Sequence, residues 1–451
     1  MGKLFGTDGV RGIANRELTP QLAFQIGQAG AYVLTKHKTD GKAKILVGKD
    51  TRISGDMLEA ALTAGICSVG GEVVSLGVIP TPAVAYLTRK YNGDAGVVIS
   101  ASHNPMEYNG IKFFNQDGFK LNDEIEAEIE EHIFADNQDL PAAQGADVGV
   151  CSRNTHAQQD YIDFICETVP LQLNGMKLVI DCANGAASYV AQKALTRLGA
   201  EVKVIHDQPN GTNINAACGS THMESLCEAV KQNGAALGFA FDGDADRCLA
   251  VDENGKVVNG DEMMMICAQY LKSKGALKNN TLVATVMRNL GLFIAAEKQG
   301  IEVLKTKVGD RYVLEEMRAG GHCIGGEQSG HIIYLDYNST GDGLLSAAML
   351  LRVISEEKKP LSELAKVVHI LPQALRNAKV KNEYKESFSQ HPEIAAAIQQ
   401  LEQKFAGMGR ILIRPSGTEP LVRVMIEGND INEITKDAQM LADLIQSRFS
   451  E

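Results

Sequence analysis

The sequence predicts an α/β protein with three similar α/β domains on mixed sheets, followed by a smaller α+β domain. Short apolar runs typical of strands alternate with amphipathic helical stretches through the first three quarters of the chain. The last ~80 residues instead read as helix, strand, strand, helix. Length alone, 451 residues at ~150 per domain, favours three domains, but the pattern of elements favours four.

The first domain is predicted over residues 1–150. Its elements alternate along the chain, with strands at 44–47, 72–75 and 95–100 and helices at 56–69, 82–90 and 120–136. The stretch 139–150 is rich in Pro, Ala, Gln and Gly, a composition that suits a linker. We therefore place the first boundary near 150.

Three further domains are predicted over 151–252, 253–368 and 369–451. Their strands are expected at 177–181, 201–205, 236–241, 281–285, 302–305, 409–413 and 421–428. Their helices are expected at 187–198, 261–274, 291–299, 341–356 and 392–405, with a last helix that runs to 450.

Composition and charge exclude several classes of function. Lys+Arg 44 against Asp+Glu 56 gives a net charge of −12, so no overall field attracts nucleic acid or an anionic membrane. No run approaches the ~18 apolar residues of a membrane-spanning helix. The nine cysteines are scattered and never form a CxxC pair. We expect a cytoplasmic protein with reduced thiols and no nucleic-acid or membrane partner.

A hydroxyl follows the apolar strand at 95–100, in the segment Ser100-Ala101-Ser102-His103-Asn104-Pro105. Ligands bind at strand ends in α/β sheets, and Asn-Pro forces a turn that holds Ser102 outside the ladder. A Ser beside a His suggests nucleophilic catalysis, although the flanking residues are not those of the Gly-x-Ser-x-Gly elbow. The alternative is a turn serine that caps a helix.

Three carboxylates at alternate positions follow the strand at 236–241. They are Asp242, Asp244 and Asp246, and they can converge on one hard cation if the backbone curls through Gly243. An EF-hand is disfavoured because Arg247 occupies the position where that loop needs Gly. A solvated acidic turn is the other alternative. Such a cluster leaves room for a phosphate oxygen on Mg²⁺, as at phosphoryl-transfer sites.

Two further loops carry polar side chains suited to an anion and a sugar. The segment from 414 to 420 offers a guanidinium, hydroxyls and backbone N–H groups that can hold a phosphate monoester. Its side chains are Arg414, Ser416 and Thr418 around Gly417, with Arg423 close behind. The segment 325–331 carries Glu327 and Ser329, which can bridge sugar hydroxyls, and His331, which can move a proton. Plain turns between strands are the alternative for both.

These motifs fall one to each predicted domain, which indicates a phosphorylated sugar bound in one central cleft between four domains. Two separate phosphate-handling sites are the informative feature. A kinase would need a nucleotide fingerprint, and neither GxxxxGK[ST] nor GxGxxG after a strand is present. An enzyme that moves phosphate within one molecule needs a phosphorylated side chain and a distinct anchor for the phosphate that stays.

Over essentially its whole length the sequence resembles the α-D-phosphohexomutase superfamily. Four segments match the active-site motifs of that superfamily in order: Ile99–Pro105, Asp242–Arg247, Gly326–His331 and Arg414–Pro420. Within it the sequence resembles the members that act on glucosamine phosphates. That closer resemblance is carried by Phe5–Gly12, Asp50–Gly55, Asn213–Asn215, Cys218–His222, Val308–Val313 and Gln328.

The resemblance implies interconversion of glucosamine 6-phosphate and glucosamine 1-phosphate through a 1,6-bisphosphate, on the route to UDP-N-acetylglucosamine and peptidoglycan. It makes Ser102 a phosphoserine, primed by a hexose 1,6-bisphosphate or by autophosphorylation. It makes Asp242, Asp244 and Asp246, with the phosphoseryl group, the ligands of one Mg²⁺. A homodimer through the first domain is also implied.

The resemblance assigns the other roles as follows. Arg11 and Arg247 would add donors to the moving phosphoryl group, with His103 beside the nucleophile. Lys112 and His331 would be the general acid and base, Lys112 needing a lowered pKa to act as a base. The sugar would be bound by Glu327 and Ser329, and the non-reacting phosphate by Arg414, Ser416, Gly417, Thr418 and Arg423.

Three rival functions stay open. A phosphoglucomutase or phosphomannomutase differs only at the sugar C2 substituent, and turnover of the three hexose phosphates separates them. A metal-dependent phosphatase or serine hydrolase using Ser102 and His103 would release free phosphate. A sugar-phosphate sensor would bind without turnover and would not carry a phosphoryl group on Ser102.

Overall fold

The computed structural model describes residues 4–6, 8–39, 41–385, 387–407, 409–416 and 420–449. Contacts group these residues into two compact units. Unit 1 contains residues up to 287 and 300–367, and unit 2 contains 288–299 and 368 onward. Each unit is described by itself.

Domain 1, at the start of unit 1, is built on a seven-stranded sheet. Its strands are β1 Phe5–Gly6, β2 Gly9–Ile13, β3 Lys44–Lys49, β4 Glu72–Val78, β5 Ala95–Ile99, β6 Tyr108–Asn115 and β7 Cys151–Arg153. Their order across the sheet is β1-β2-β6-β5-β3-β4-β7. Its helices are α1 Pro20–Thr35, α2 Gly55–Ser68, α3 Thr81–Lys90 and α4 Asp123–Phe134.

The sheet of domain 1 is mixed, as predicted. Strands β3, β4, β5 and β7 run parallel, while β6 pairs antiparallel with both β5 and β2. All five residues of β5 are buried, so the segment that follows leaves the sheet from its core. Strand β7 extends this sheet to Arg153, three residues beyond the boundary expected at 150.

Domain 2 has a five-stranded sheet of order β12-β11-β10-β8-β9. Its strands are β8 Lys177–Asp181, β9 Glu201–Ile205, β10 Leu237–Phe241, β11 Cys248–Asp252 and β12 Val257–Val258. Its helices are α5 Ala157–Thr168, α6 Ala191–Arg197 and α7 Glu224–Asn233. The central strand β10 is buried throughout and pairs parallel with β8 and antiparallel with β11.

Domain 3 has a four-stranded sheet of order β14-β13-β15-β16. Its strands are β13 Thr281–Thr285, β14 Glu302–Thr306, β15 Ile324–Gly326 and β16 Ile332–Tyr334. The helices along this part of the chain are α8 Gly260–Ser273, α9 Leu290–Lys298, α10 Asp310–Gly320, α11 Gly343–Glu357 and α12 Leu361–Leu364. Asn259 and Glu262 form a capping box that fixes the start of α8.

Unit 2 is the smaller α+β domain, domain 4, as predicted. Its antiparallel sheet has the order β17-β19-β18, with β17 Gln373–Lys379, β18 Arg410–Pro415 and β19 Leu421–Glu427. Helices α13 Pro392–Phe405 and α14 Ile431–Phe449 cover it. By its contacts α9 also belongs to this unit, although sequence order places it between strands of domain 3.

Among the described residues, no helix has both the length and the apolar composition that crossing a bilayer requires.

Helices α1 and α2 of domain 1 approach closely because a glycine of each helix lies against the backbone of the other. A Cβ atom on Gly27 would lie 2.4 Å from the carbonyl oxygen of Leu62, and one on Gly65 would lie 2.1 Å from that of Phe24. Both distances are far inside van der Waals contact with backbone, so the helices would have to separate.

We therefore expect Gly27→Ala and Gly65→Ala each to lower the free energy of unfolding by about 1–3 kcal/mol, measured by urea denaturation. The control is Gly55→Ala in α2, where the nearest atom is the flexible Cδ of Lys49 at 3.3 Å. That variant should stay within about 1 kcal/mol of the unchanged protein. Equal losses in all three variants would contradict the argument.

Candidate active site

Ser102 lies just after β5 with its side chain turned toward domain 2. It is 1 % exposed, and its Oγ donates to Oδ2 of Asp242 at 2.5 Å. Its φ of +52° is in the left-handed region, which a residue with a Cβ adopts only at a cost. The Oγ of Ser100 accepts from the backbone N–H of Ser102 at 2.9 Å. The sequence-predicted hydroxyl is thus held against the sequence-predicted aspartates.

The three aspartates lie in the turn between β10 and β11, which we call the aspartate loop (242–247). Asp242, Asp244 and Asp246 are 1 %, 0 % and 4 % exposed, and their ligand oxygens lie within 4.8 Å of one another. The Oδ1 atoms of Asp244 and Asp246 are buried without a hydrogen-bond partner. Buried carboxylate oxygens without donors are the ligands that a hard divalent cation prefers, so the cluster fits a metal site.

The protonation of the cluster reflects this crowding. Burial, together with the neighbouring carboxylates, raises the pKa of Asp242 well above its usual range and also raises that of Asp246. Burial acts the same way on Asp244, but the ammonium of Lys112 and the hydroxyl of Thr81 outweigh it and lower that pKa. A divalent cation would favour the charged form of all three.

Lys112 on β6 is 1 % exposed and forms ion pairs with two carboxylates. Its Nζ lies 3.1 Å from Asp244 Oδ2 and 3.0 Å from Asp8 Oδ2. Burial lowers the pKa of Lys112, but Asp244 and Asp8 more than compensate, so the net shift is upward. This upward shift is the opposite of the lowered pKa that a lysine base requires.

A second buried lysine continues the chain of charges into domain 3. Lys120 donates both to Asp8 and to Asp310, the first residue of α10. Asp310 Oδ2 lies 3.4 Å from Nε2 of His331. Burial lowers the pKa of Lys120, but Asp310 and Asp8 raise it far above its usual value. Lys112 and His331, the two predicted acid/base groups, are thus linked by Asp8, Lys120 and Asp310.

A pocket of about 330 Å³ opens beside this chain, entirely within unit 1. It is lined by residues of all three α/β domains, among them Arg11, Asp246, Arg247, Asp310, Glu327 and His331. Both ring nitrogens of His331 are buried without a hydrogen-bond partner, as is the Nε of Arg11 and of Arg247. Guanidinium N–H groups without a partner at residues that line a pocket are suited to an anionic ligand.

The predicted sugar loop (327–331) joins β15 to β16, and two of its residues, Glu327 and His331, line the pocket. The Oγ of Ser329 is buried without a partner. Gly330 has φ +90°, and a Cβ there would lie 2.2 Å from the carbonyl oxygen of Cys248. The loop therefore packs directly on the strand that follows the aspartate loop.

His103 is beside Ser102 but poorly placed to activate it. Its Nδ1 is 3.4 Å from Ser102 Oγ, whereas Asp242 accepts from that hydroxyl at 2.5 Å. Burial, with the charges of Arg247 and Arg11, lowers the pKa of His103 to about 4, so the ring is neutral at pH 7. The geometry favours Asp242 over His103 as the acceptor of the Ser102 proton.

The predicted phosphate loop (414–420) begins in unit 2 with Arg414 and Pro415, the last two residues of β18. Arg414 and Arg423 are directly paired across the two strands. Burial and the nearby charge of Arg423 lower the pKa of Arg414, whose Nε has no partner. Ser416 is buried, and its N–H donates to the carbonyl of Leu421. Two further residues of the prediction, Gly417 and Thr418, lie outside the described residues.

A second group of possible metal ligands, Asp181, His206 and Cys218, lies elsewhere in domain 2. Its carboxylate already accepts from the N–H groups of Ala183 and Gly219 and lies 3.0 Å from His206 Nδ1. Burial raises the pKa of Cys218 to about 12, which keeps it a neutral thiol. This group differs from the aspartate loop because its carboxylate already accepts hydrogen bonds on both oxygens and because its third member is a thiol.

Four charged or polar residues of the site were missing from the sequence prediction: Asp8, Thr81, Lys120 and Asp310. Asp8 and Asp310 lie inside segments that carried the resemblance, so a search for charges within those segments would have found them. Thr81 and Lys120 stand alone at the start of α3 and after β6. They carry no local signal, because their partners are 163 and 190 residues away.

Comparison with known proteins gives one family for the whole chain. Four models of the phosphoglucomutase/phosphomannomutase family match in order: alpha/beta/alpha domain I over 2–139, domain II over 159–255, domain III over 259–370 and the C-terminal domain over 375–444. The chain is 61 % identical to a phosphoglucosamine mutase of Ruminiclostridium cellulolyticum, covering all of both chains. It is 59 % identical to one of Clostridium botulinum, again over the full length.

Solved structures agree in fold. A phosphoglucomutase/phosphomannomutase family protein of Burkholderia thailandensis matches with a TM-score of 0.80 at 24 % identity, covering 97 % of each chain. An N-acetylphosphoglucosamine mutase of Aspergillus fumigatus, solved with GlcNAc-6P and magnesium, matches with a TM-score of 0.64 at 19 % identity. That match covers 85 % of this chain and 93 % of the other.

The aspartate loop gives a prediction for metal binding. Mg²⁺ at 100 times its dissociation constant should raise the free energy of unfolding by about 2.7 kcal/mol, seen as a higher melting temperature. Asp246→Asn should abolish most of that gain while leaving the metal-free protein as stable or more stable, because it removes one of three repelling charges.

The matched control is Asp181→Asn, from the second ligand group. It should lower the melting temperature, since Asp181 accepts two backbone N–H bonds, but should keep the full gain from Mg²⁺. If Asp246→Asn kept that gain as well, the aspartate loop would not be the metal site.

Proposed function

The chain belongs to the phosphoglucosamine mutases of the phosphoglucomutase/phosphomannomutase family, and from that premise we propose how its own residues carry the isomerisation. The substrate pair is glucosamine 6-phosphate and glucosamine 1-phosphate, and the intermediate is the 1,6-bisphosphate. The product feeds the route to UDP-N-acetylglucosamine. As in the sequence prediction, the enzyme is primed by a hexose bisphosphate or by autophosphorylation.

The observation that carries this proposal is the contact between Ser102 and the aspartate loop. The hydroxyl of Ser102 in domain 1 donates at 2.5 Å to a carboxylate of a three-aspartate cluster in domain 2. A phosphoryl group carried on this hydroxyl would lie beside the cluster, where a bound cation could neutralise its charge. The cluster, with buried oxygens that lack donors, fits Mg²⁺.

In the first half-reaction the bond from phosphorus to Ser102 Oγ breaks and a bond to a sugar hydroxyl oxygen forms; that hydroxyl gives up its proton, and Ser102 Oγ takes one up. In the second, the other phosphate of the bisphosphate returns to Ser102 Oγ, which gives up its proton, and the sugar oxygen that loses the phosphate takes one up. Mg²⁺, when bound, neutralises charge on the moving phosphoryl group. Arg11 and Arg247 supply N–H donors to the same oxygens.

Proton transfer is divided between two residues by their surroundings. Asp244 and Asp8 face Lys112 and raise its pKa, so of the two roles it takes that of the acid, and it carries a positive charge until it gives up its proton. His331 has two unpartnered ring nitrogens in the pocket and Asp310 beside it. That placement suits a base that accepts the proton of the sugar hydroxyl.

The remaining predicted residues bind the substrate. Glu327 and Ser329 form hydrogen bonds with sugar hydroxyls, both when the 1-phosphate and when the 6-phosphate of the bisphosphate is next to Ser102. The phosphate that does not react is held by Arg414, Ser416 and Arg423, with Gly417 and Thr418 of the same loop. We also keep the homodimer through domain 1 as a prediction, its readout being the molar mass in solution.

The hydrolase alternative is less well supported. His103 would have to accept the Ser102 proton, but it is 3.4 Å away and has a pKa of about 4. A base so weak and so distant is a poor match for an alcohol of far higher pKa. Accumulation of glucosamine 1-phosphate without free phosphate is the outcome we expect from glucosamine 6-phosphate.

Ser102→Ala tests the phosphoryl carrier. We expect isomerisation to fall at least about 10³-fold because no side chain remains to accept the group, while the dissociation constant of glucosamine 6-phosphate changes little. Intact mass should show a phosphoryl adduct on the unchanged protein, mapping to Ser102, and none on the variant. Ser346→Ala, another buried serine of unit 1, is the control and should retain activity. Normal turnover by Ser102→Ala would reject the proposal.

Arg414→Gln tests the phosphate loop. Loss of charge-assisted hydrogen bonds to a phosphate costs about 1.5–3 kcal/mol, so we expect KM for glucosamine 6-phosphate to rise about 10- to 100-fold. Arg376→Gln on β17, a strand of the same sheet, is the control, since its guanidinium donates to Gln439 and to the carbonyl of Leu375. An unchanged KM in Arg414→Gln, or an equal rise in both variants, would remove this assignment.

A further inference from the structure

Two of the sequence segments that carried the resemblance have no role in the reaction as described above. They are Asp50–Gly55, which connects β3 to α2, and Asn213–Asn215 in domain 2. The structure brings them together on the backbone of residues 100–108, which we call the Ser102 loop. This loop connects β5 to β6 and contains the phosphoryl-carrying hydroxyl.

All the N–H donors of the Arg52 guanidinium are bonded either to Asp50 or to carbonyl oxygens of the Ser102 loop. Its Nε donates to Asp50 Oδ2 at 2.9 Å, and its two NH2 hydrogens go to the carbonyls of Ser102 and Asn104 at 2.9 and 2.8 Å. Its NH1 donates to the carbonyls of Pro105 and Tyr108. A guanidinium has five N–H donors, and here all five are used. The side chain is completely buried.

Asn215 reaches the same two carbonyls from domain 2. Its Nδ2 donates to Ser102 at 2.9 Å and to Asn104 at 3.0 Å. A carbonyl oxygen has two lone pairs. Each of these two oxygens therefore receives one donor from Arg52 and one from Asn215, and neither has capacity left for water.

The aspartate loop packs on the same point. A Cβ atom on Gly243 would lie 2.6 Å from the carbonyl oxygen of Ser102 and 2.9 Å from Nδ2 of Asn215. The carbonyl of Ser102 is thus enclosed by Arg52, Asn215 and Gly243, while its Oγ points to Asp242. Fixing the carbonyl fixes the left-handed backbone at Ser102, and with it the direction of Oγ.

From these contacts we infer that Arg52 and Asn215 are positioning residues for phosphoryl transfer, acting on Ser102 through its carbonyl and setting the distance from Oγ to the aspartate loop. Neither residue touches the reacting atoms. The inference rests on the proposed role of Ser102 as the phosphoryl carrier. Misplacement of a reacting group by about 1 Å can lower the rate about 10²-fold. A shift of the Ser102 loop that moves Oγ is therefore expected to lower kcat.

Asn215→Gly is the main test, because glycine accepts the φ of +58° at this position and removes both donors. We expect kcat to fall about 10- to 100-fold, and phosphorylation of Ser102 by glucosamine 1,6-bisphosphate to slow in parallel. The dissociation constant of glucosamine 6-phosphate should stay within about twofold, because the sugar and phosphate loops are untouched.

Arg52→Lys is the second variant. Lysine keeps the charge opposite Asp50 but has three donors and no planar fork, so it cannot serve four carbonyls. We expect a fall in kcat at least as large as that of Asn215→Gly, again with little change in the dissociation constant. Should this variant fail to fold, Asn215→Gly still decides the question.

Asn137→Gly is the matched control. Asn137 is also 8 % exposed, also has a left-handed φ, +52°, and also donates twice from Nδ2, to Gln25 and Gln28. It lies away from the Ser102 loop. We expect a similar loss of melting temperature with kcat unchanged.

The outcomes separate the two levels of the argument. If the unchanged protein neither takes a phosphoryl group on Ser102 nor isomerises glucosamine 6-phosphate, the proposed function fails. If it does both, and Asn215→Gly loses melting temperature but keeps kcat within about twofold, as Asn137→Gly should, only the positioning inference fails.

Discussion

The repulsion among three buried carboxylates at the end of β10 is the constraint around which the rest of unit 1 is arranged. Domain 1 supplies most of the compensation: the hydroxyl of Ser102 for Asp242, and Thr81 and Lys112 for Asp244. Asp246 has no donor as close as these, its Lys112 contact being 4.0 Å. The first two domains therefore meet at the cluster, and the negative charge that they leave unbalanced fits the binding of a divalent cation.

Burying Lys112 beside Asp244 is itself unfavourable, because its ammonium loses its contact with water and needs a second anion. Asp8 supplies the second, and it in turn is balanced by Lys120, which ends on Asp310 in domain 3. Signs alternate along the whole series, so removal of any member takes one opposite charge away from each of its buried neighbours. The short hairpin β1–β2, whose Phe5 N–H donates to Glu130, has the role of placing Asp8 and Arg11.

The sequence predicts the parts of the site whose signal is local, and it misses those whose partners are distant. Ser102 and the aspartates each follow an apolar strand, so position and chemistry could both be predicted. Helix α13 was predicted with its observed bounds, 392–405, because Pro starts it and the apolar period is regular. Helix α1 was missed because Gly27 and Gly30 weaken the helical pattern. In the structure the lack of a side chain lets α2 pack against Gly27 and the ring of Phe113 pack against Gly30. Strand β6 was missed because its buried Lys112 reads as a surface residue.

The buried lysines and the arginines of the site have different partners, which explains how a chain of net charge −12 can accommodate a doubly phosphorylated sugar. Both buried lysines of the site point at carboxylates, where a compact ammonium is well matched. The arginines that line the pocket, Arg11 and Arg247, keep an Nε without a partner, and a guanidinium fork matches the oxygens of a phosphoryl group. At physiological salt, charges more than about 8 Å apart on the surface are largely screened. A phosphorylated ligand in this pocket would therefore interact mainly with these local arginines and with a cation bound at the aspartate loop, so the overall acidity of the surface would have little effect on its binding.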